Sequence, residues 1–179
     1  DYTYMSSARN TGSSTLYTTS KLKTEIIGDI AYKYTYDATG NITSISETTR
    51  ANAGNDLSYV LRYSYEYDLL GRMTRDNNYY SGNTIVYSYD SGGNITLKDY
   101  YVYTTDPTVS LGAADTQVIY TYDTVWKDKL VSSTTVVDGQ TFSTRSYAYD
   151  EIGNPTSFNG KTLTWTGREL TSYDGITYT

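Results

Sequence analysis

The stretch Tyr34-Thr35-Tyr36-Asp37-Ala38-Thr39-Gly40-Asn41 contains a phrase that recurs along this chain of 179 residues. The phrase is Tyr-x-Tyr-Asp, followed after two residues by Gly and then by Asn or Arg. The other copies begin at Tyr65, Tyr87, Tyr120 and Tyr147, and only the copy at Tyr120 lacks the Gly. Consecutive aspartates of the phrase are 22 to 33 residues apart, and a period of this length is typical of repeat architectures.

Each copy of the phrase predicts a β-hairpin. Successive side chains of a strand point to opposite faces, so Tyr-x-Tyr puts two rings on one face. Asp can bond the backbone of its own turn and Gly adopts positive φ easily, so the chain reverses after the tyrosines. A second alternating run then begins, as in Ile42-Thr43-Ser44-Ile45. We expect four aspartates to accept backbone N–H groups of their own turns: Asp37, Asp68, Asp90 and Asp150.

A second kind of turn joins some of the hairpins. Asp138-Gly139, Asn159-Gly160 and Asp174-Gly175 lie between strand-like runs, which is the strongest short hairpin signal. Thr48 to Asp56 and Thr104 to Asp115 are longer joins, which we interpret as surface loops. No window has apolar residues at helical spacing. The sequence therefore predicts an all-β fold, a repeat array of antiparallel hairpins in one curved sheet of about ten to fourteen strands in chain order.

The composition argues against an ordinary hydrophobic core. Leu, Ile, Val and Phe together make up 32 of the 179 residues, about 18%, which is low for a packed domain. The chain has 23 Tyr, and each ring can bury roughly 150 to 250 Å² and stack on a neighbour. We therefore expect tyrosine ladders, with aromatic and β-branched cross-strand pairs, to hold the sheet together.

Charge and missing residue types exclude several functions. The net charge is -6 and the 14 basic residues are scattered, so a nucleic-acid partner is not expected. Cys is absent, which removes disulfides and thiolate chemistry, and His is absent, which removes Ser-His and Cys-His catalysis. No apolar stretch is long enough to span a membrane, and the first residues do not form a signal peptide.

Carboxylates are the remaining candidates for chemistry. Glu66 with Asp68, or Asp150 with Glu151, could be proposed as a glycosidase pair, but strand periodicity and turn capping already account for these positions. The Asp-x-x-Gly-Asn turns offer one carboxylate each, whereas a calcium site needs six to eight oxygens. We therefore expect no catalytic, metal or cofactor-binding residues and no enzyme activity.

From Ile30 to Tyr178 the chain resembles the YD-repeat, or RHS-repeat, family. The most specific stretches run from Tyr149 to Ser157 and from Leu163 to Leu170, and both are similar to repeats of cell-surface and secreted RHS proteins of Gram-positive bacteria. The segment from Thr124 to Leu130 resembles a variant turn of that group. The resemblance assigns a structural repeat motif to Tyr34, Tyr36, Asp37, Gly40, Tyr65, Tyr67, Asp68, Gly71, Tyr87, Tyr89, Asp90, Gly93, Tyr120, Tyr122, Asp123, Tyr147, Tyr149, Asp150 and Gly153.

The resemblance also implies an architecture and a role. Related proteins, including Tc toxins and teneurins, wind such hairpins into a spiralling single-layer sheet that forms a hollow shell. The implied function is a non-catalytic shell segment that encloses a C-terminal, toxin-like polypeptide within a larger protein that is secreted or on the bacterial surface. Its partners would be the neighbouring repeats and the enclosed polypeptide. One feature departs from the family, because Asp106-Pro107 is followed by Thr108 instead of the Asp-Pro-x-Gly pattern of self-cleaving members.

The repeats also predict how the chain is divided. Residues 1–29 are interpreted as a degenerate N-terminal repeat with edge strands, and residues 30–179 as five repeats plus the start of a further one, in one continuous array without separate domains. The last residues, Ile176-Thr177-Tyr178-Thr179, read as the opening of another repeat, so we expect a segment of a longer array. Its open sheet edges are expected to allow copies to associate.

Exposed aromatic rows would support a different function. Rows of Tyr, together with Trp165, could stack on sugars or on partner proteins, as in an extracellular adhesin or a carbohydrate-binding module. A shell segment should instead bury its tyrosines between strands, so the exposure of the rings distinguishes the two functions.

Overall fold

The chain is a succession of β-strands. A computed structural model describes residues 1–8, 16–106 and 109–178. The strands are β1 Tyr2–Ala8, β2 Leu16–Ile27, β3 Ile30–Tyr36, β4 Ile42–Thr49, β5 Val60–Tyr67, β6 Met73–Asn78, β7 Asn83–Tyr89, β8 Ile95–Val102, β9 Thr116–Tyr122, β10 Leu130–Val137, β11 Gln140–Tyr149, β12 Pro155–Phe158, β13 Lys161–Thr166, β14 Glu169–Tyr173 and β15 Ile176–Thr177.

The fifteen strands form one open antiparallel sheet in which sheet order follows chain order. The predicted all-β class and the strand order are confirmed. The number of strands is one above the expected range, because the turn at Asp174-Gly175 is followed by a strand of two residues, β15. The predicted loop from Thr48 to Asp56 also holds two single-turn 3-10 helices, Arg50–Asn52 and Asp56–Ser58. In the second predicted loop, Pro107 and Thr108 lie outside the described residues.

The chain divides into two compact units. The first unit comprises Asp1–Ile85 and Val102–Ser110, and the second comprises Val86–Tyr101 and Leu111–Thr179. The division into residues 1–29 and 30–179 that the repeats suggest stays a prediction.

Two kinds of turn close the hairpins, as the sequence indicates. At Asp138-Gly139, Asn159-Gly160 and Asp174-Gly175 both residues have positive φ, from 49° to 85°. This is the backbone of a type I′ turn, whose twist matches that of the flanking strands. The second kind follows the tyrosines, and we call the five turns that begin at Asp37, Asp68, Asp90, Asp123 and Asp150 the YD turns.

The two faces of the sheet differ in chemistry, as the first unit demonstrates. On one face, which we call the aromatic face, the cross-strand row contains Tyr34, Ile45 and Tyr63. On the other, the hydroxyl face, the neighbouring row is Thr35, Ser44, Ser64 and Asn77. The Thr35 hydroxyl lies 2.6 Å from that of Ser44, and Asn77 Nδ2 donates to Ser64 Oγ over 2.9 Å. Strand alternation alone therefore separates rings from hydroxyl groups.

The buried residues of the sheet are mostly polar. Among the described residues, Ala31 is the only buried hydrophobic one, whereas Arg75, Asn77, Thr84 and Asn154 are buried polar ones. Asn77 Oδ1 accepts from Arg75 Nε at 3.0 Å and lies 2.8 Å from the Thr84 hydroxyl. The composition predicts a weak hydrophobic core, and here hydrogen-bonded polar groups are buried instead. Burial of these groups without their hydrogen bonds would destabilise the fold.

The predicted tyrosine ladder is only partly correct. Tyrosine-rich strands of adjacent hairpins are two strands apart, roughly 9.5 Å, which exceeds the 4.5 to 7 Å of stacked rings. A side chain from the intervening strand fills this space. Ile45 does so between Tyr34 and Tyr63, and Lys98 Nζ lies 5.6 Å and 5.7 Å from the ring centres of Tyr87 and Tyr120.

Candidate functional site

The first YD turn is organised around the carboxylate of Asp37. Its Oδ1 accepts from the backbone N–H groups of Gly40 at 2.7 Å and Asn41 at 2.9 Å, and from the Thr39 hydroxyl at 2.8 Å. Its Oδ2 accepts from Asn41 Nδ2 at 2.9 Å. The backbone closes the same loop, because Asp37 N–H donates to the Asn41 carbonyl at 3.0 Å. One carboxylate therefore satisfies the donors of the whole turn.

Three more YD turns have the same arrangement. In each, Oδ1 of the aspartate accepts backbone N–H groups of the turn, and Oδ2 accepts from the side chain that follows the Gly. These side chains are Arg72, Asn94 and Asn154. The sequence predicts the backbone bonds, but it does not reveal why Asn or Arg ends the phrase. The structure gives the reason: both carry N–H groups that reach the second carboxylate oxygen.

The fourth YD turn is capped although it lacks the Gly. Asp123 Oδ1 accepts from the N–H groups of Val125 at 2.8 Å and Trp126 at 2.7 Å. This loop is longer than the others. Asp123 N–H donates to the carbonyl of Lys129, six residues later, whereas in the other YD turns the Asp N–H donates to the carbonyl four residues later. Lys129 Nζ lies 3.8 Å from Asp123 Oδ2 and replaces the Asn or Arg. Asp123 is not among the four aspartates that the sequence predicts as caps, although the Tyr-x-Tyr-Asp phrase and the variant-turn segment from Thr124 to Leu130 mark this turn.

Hydrogen bonds lower the pKa of the YD aspartates. For Asp37 the bond from the Thr39 hydroxyl, with those from Asn41 and Gly40, lowers the pKa to about 2 from 3.8. The pKa values of Asp68, Asp90 and Asp123 are also lowered by bonds from their own turns. For Asp150 burial raises the pKa, but the bonds from Asn154, Ile152 and Gly153 outweigh it and the net shift is downward. These carboxylates are charged turn caps at neutral pH.

In the second unit, consecutive YD turns touch one another. Asn94 Nδ2, besides capping its own turn, lies 3.3 Å from the Lys127 carbonyl and 3.2 Å from Asp128 Oδ1 of the next turn. The fifth YD turn contacts the turn between β13 and β14, because Asn154 Nδ2 donates to the carbonyl of Gly167 at 2.6 Å. The Trp126 ring covers Gly153, where an added Cβ would come within 2.8 Å of the ring. The Gly of the fifth turn is thus required for its positive φ of 90° and for contact with the fourth turn.

A second set of bonds ties four of the hairpins to the strand before them. The Tyr67 hydroxyl donates to the carbonyl of Ile42 at 2.8 Å, and that of Tyr122 to the carbonyl of Ile95 at 3.0 Å. In both cases the acceptor is the first residue after the preceding hairpin's YD turn. Trp165 Nε1 donates equivalently to the carbonyl of Pro155 at 2.6 Å. We call these the ring-to-carbonyl bonds, and Tyr36 makes one to Leu22 at 2.8 Å.

The tyrosines of the repeat motif are half-buried. This holds for Tyr34, Tyr36, Tyr65, Tyr67, Tyr87, Tyr89, Tyr120, Tyr122, Tyr147 and Tyr149, whereas the residue between each pair is exposed. Burial raises the pKa of Tyr36, Tyr67, Tyr122 and Tyr149. Their rings therefore lie between strands, as a structural role requires.

Four other rings are gathered at the opposite end of the first unit's strands. Tyr79 contacts Tyr80 and Tyr103 edge to face, with ring centres 5.6 Å and 5.8 Å apart, and Tyr80 also contacts Tyr63. The Arg62 guanidinium lies 4.3 Å from the Tyr79 ring centre. Tyr79 and Tyr80 are 49% and 58% exposed, unlike the motif tyrosines. We call this group the tyrosine cluster.

Glu47 anchors the tyrosine cluster. Glu47 Oε1 accepts from Arg62 Nε at 2.7 Å and from the Tyr80 hydroxyl. The bond to Glu47 raises the pKa of Tyr80 to about 12. The charges of Arg62 and Glu47 therefore compensate one another, and the exposed part of the cluster is neutral and aromatic.

The candidate catalytic carboxylates do not come together. Asp68 and Asp150 cap their own turns, and Glu66 lies on the hydroxyl face with Oε1 3.7 Å from Arg75 Nη1. An open groove of about 650 Å³ between the first two YD turns is lined partly by Leu69 and Leu70. The described residues contain no group of three or more acidic side chains suited to a metal ion. No helix in that part of the chain is long and apolar enough to cross a membrane.

Comparison with known proteins identifies a similar fold. No protein-family model and no curated protein matches the sequence. Among solved structures, the crystal structure of TcdB2-TccC3-TEV matches 81% of this chain and 9% of its own at 15% identity and a TM-score of 0.52. The crystal structure of TcdB2-TccC3 without its hypervariable C-terminal region matches 86% of this chain and 9% of its own, at 13% identity and a TM-score of 0.44. The Tc holotoxin pore of Photorhabdus luminescens matches 96% of this chain and 12% of its own, at 16% identity and a TM-score of 0.40. The first comparison shows a shared fold, and this chain spans about a tenth of the larger chains.

Removing a cap tests the role of the YD aspartates. We expect Asp37→Ala to lower Tm by about 2 to 4 °C at neutral pH, because backbone donors lose their acceptor. Asp37→Asn keeps one acceptor but faces Asn41 Nδ2 with a second donor. Because the pKa of Asp37 is lowered on folding, its contribution is present above pH about 4 and is lost as the pH falls towards about 2. Between these pH values, the Tm of Asp37→Asn should therefore depend less on pH than the Tm of the unchanged chain. The same pH dependence of Tm in both chains would contradict this account.

Removing one hydroxyl tests the ring-to-carbonyl bonds. We expect Tyr67→Phe and Tyr122→Phe each to lower the free energy of unfolding by about 1 kcal/mol, the usual net value of one hydrogen bond. Tyr120→Phe is the matched control, because the described part of the structure holds no hydrogen bond from its hydroxyl. Urea unfolding measures all three. Losses in the two test variants that are no larger than the loss in the control would show that the ring-to-carbonyl bonds do not contribute to stability.

The contact between the fourth and fifth YD turns is tested at two glycines with similar backbone. Gly93 and Gly153 have φ of 96° and 90°, but only at Gly153 would a Cβ meet the Trp126 ring. We expect Gly93→Ala to cost about 1 to 2 kcal/mol from backbone strain. Gly153→Ala should cost about 1 kcal/mol more from overpacking. In the double variant Gly153→Ala with Trp126→Ala, this additional loss should disappear. If the additional loss persists in the double variant, the Trp126 ring does not cause it.

Proposed function

We propose that this chain is a non-catalytic wall segment of an RHS-type shell, which encloses a toxin-like polypeptide encoded C-terminal to the repeats. The observation that carries the proposal is the ring-to-carbonyl bond, by which a ring in each of four hairpins holds the preceding strand. Such a chain extends by adding identical hairpins. A wall that must surround another polypeptide needs this property.

The use of the polar groups supports a structural role. The YD aspartates are consumed by their own turns, and the motif tyrosines are half-buried between strands. Catalysis needs groups that converge on a reacting atom and remain available to it. The carboxylates of the motif are instead fixed by two to four hydrogen bonds each. Their role is therefore to accept the N–H groups of their own turns.

The shared fold with TcdB2-TccC3 supports the same conclusion by analogy. That comparison concerns about a tenth of the larger chain, so the enclosed polypeptide belongs to the proposal. We further propose that the parent protein is secreted or held on a bacterial surface, and that the other partners of this chain are neighbouring repeats. The outer strands of the sheet, β1 and β15, are where such repeats would pair.

The tyrosine cluster favours a second candidate function. Tyr79 and Tyr80 are exposed rings beside the compensated Arg62–Glu47 pair, so they offer a neutral aromatic surface. Such a surface suits an extracellular adhesin or a carbohydrate-binding module. The cluster occupies one place in the first unit, whereas the half-buried motif tyrosines recur in every repeat. The shell role therefore accounts for more of the sequence.

Protease protection tests the shell role. In the full-length protein that contains this chain, we expect the polypeptide after the repeats to resist an added protease while the repeats are intact. A variant with both Tyr67→Phe and Tyr122→Phe should lose that resistance sooner, because two bonds between hairpins are missing. Tyr120→Phe serves as the control.

The two candidate functions give different outcomes in this experiment. Rapid cleavage of the C-terminal polypeptide in the unchanged protein would contradict enclosure. Binding of the isolated chain to immobilised glycans, abolished by Tyr79→Ala with Tyr80→Ala, would support the adhesin instead. The reading frame of the parent protein provides an independent check, because a shell requires more repeats and a further polypeptide.

A further inference from the structure

One strand inside the sheet of the second unit has an uncovered edge. In β11 every residue from Gln140 to Ser146 is exposed, and Phe142 is 77% exposed. β10 pairs with β11 along this whole segment, from Gln140 to Ser146. β12 pairs with it only at Tyr147, Ala148 and Tyr149. In the described part of the second unit, the segment from Gln140 to Ser146 therefore has a strand on one side only.

The cause lies in the lengths of the strands. β11 has ten residues, whereas β12, β13, β14 and β15 have four, six, five and two. The turn at Asn159-Gly160 reverses the chain soon after Phe158, before β12 can run along the rest of β11. The sheet narrows at this step, and the far half of β11 is left as an edge.

Hydrogen bonding identifies the groups that face outward. The Ser146 carbonyl accepts from Asn159 N–H at 3.2 Å, so the backbone groups of Ser146 point away from β10. Orientation alternates along an antiparallel strand, so Thr144 also presents its N–H and C=O outward. Ser143 and Arg145 point inward, opposite Thr135 and Ser133 of β10. Phe142 is the extra residue of a β-bulge, where the register shifts between Thr135 and Val136.

We propose that this edge pairs with the same edge of a second copy, antiparallel and with Thr144 opposite Thr141. Thr134 and Val136 of β10 are two residues apart, so Thr141 opposite Val136 has the same outward orientation as Thr144 opposite Thr134. An extended strand can pair these outward N–H and C=O groups, and a symmetry-related copy offers them at the same spacing. The contact extends from Gln140 to Arg145 and ends before Ser146, whose carbonyl already accepts from Asn159. The segment contains no Pro and no acidic residue, and Arg145 is its only charge.

Two features make the contact short and dependent on salt. The pairing is short, because β12 and Asn159 occupy the edge beyond Arg145 and the bulge at Phe142 twists the rest. In the proposed register Arg145 lies opposite Gln140, so the two Arg145 side chains are at opposite ends of the contact. The net charge of -6 per chain opposes association at low ionic strength. Self-association should therefore strengthen as salt is added. The inference does not depend on the proposed shell function.

Amide hydrogen exchange, read by NMR for single residues, tests the pairing. Raising the protein concentration from about 0.02 to about 1 mM should slow exchange at Thr144 about three- to sevenfold, because the monomer fraction of a dimerising chain falls by mass action. The Arg145 amide, which faces β10, should be protected at both concentrations and is the internal control. The Tyr2 amide reports separately on the outer edge at β1. Exchange at Thr144 that is independent of concentration would overturn the proposal, whatever Tyr2 does.

A proline variant provides a second, independent test. Thr144→Pro removes only an outward-facing donor, so β11 should keep its pairing with β10 and the circular dichroism spectrum should be unchanged. We expect this variant to sediment as a monomer at a concentration where the unchanged chain forms dimers. Tyr2→Pro alters the edge at β1 and should dimerise like the unchanged chain. A folded Thr144→Pro that still dimerises fully would overturn the proposal. So would protection of Thr144 that appears only with an added foreign peptide.

Discussion

Four hairpins of this sheet are held to the preceding strand by a ring that donates a hydrogen bond to a backbone carbonyl, and in three of them that carbonyl lies just after an earlier YD turn. The bond joins two adjacent strands through a side chain, so it requires a long side chain with a donor at its tip. Tyrosine and tryptophan fulfil this condition, and Trp165 is the donor in the hairpin that follows the fifth YD turn. The acceptor is available only because the YD turn ends at a defined residue. The capped turn and the ring therefore depend on each other.

This arrangement compensates for the small amount of buried hydrophobic surface among the described residues. A single sheet buries little hydrophobic surface, and among the described residues only Ala31 is a buried hydrophobic residue. Stability must come from contacts within the layer, which are half-buried rings, lysines over rings and hydrogen-bonded polar groups. Lys98 between Tyr87 and Tyr120 illustrates the principle, because one cation binds the faces of two rings that are too far apart to stack. Polar and aromatic groups here perform the work of a core.

Because most polar groups of the repeats take part in these contacts, few of them remain free to interact with other molecules. The carboxylates of the repeats cap turns and several of their tyrosine hydroxyl groups bond the neighbouring strand, which agrees with the structural role proposed above. Surfaces with free chemistry occur where the repeat pattern is interrupted. The tyrosine cluster lies at a long join between hairpins, and the open edge of β11 lies where the strands become short. Interactions with other molecules are therefore expected at the irregular places of the array.

The sequence alone determined the fold class, the strand order and both kinds of turn, because strand alternation and turn chemistry act between residues close in the chain. It also indicated which aspartates cap turns, except Asp123, whose turn lacks the Gly. It did not determine the ring-to-carbonyl bonds, the lysines between rings, the role of the Asn or Arg after the Gly, or the exposed edge of β11. These depend on which side chains meet across two strands and on how far a strand is paired. Register and strand length are set by the whole sheet, so only the tertiary structure decided them.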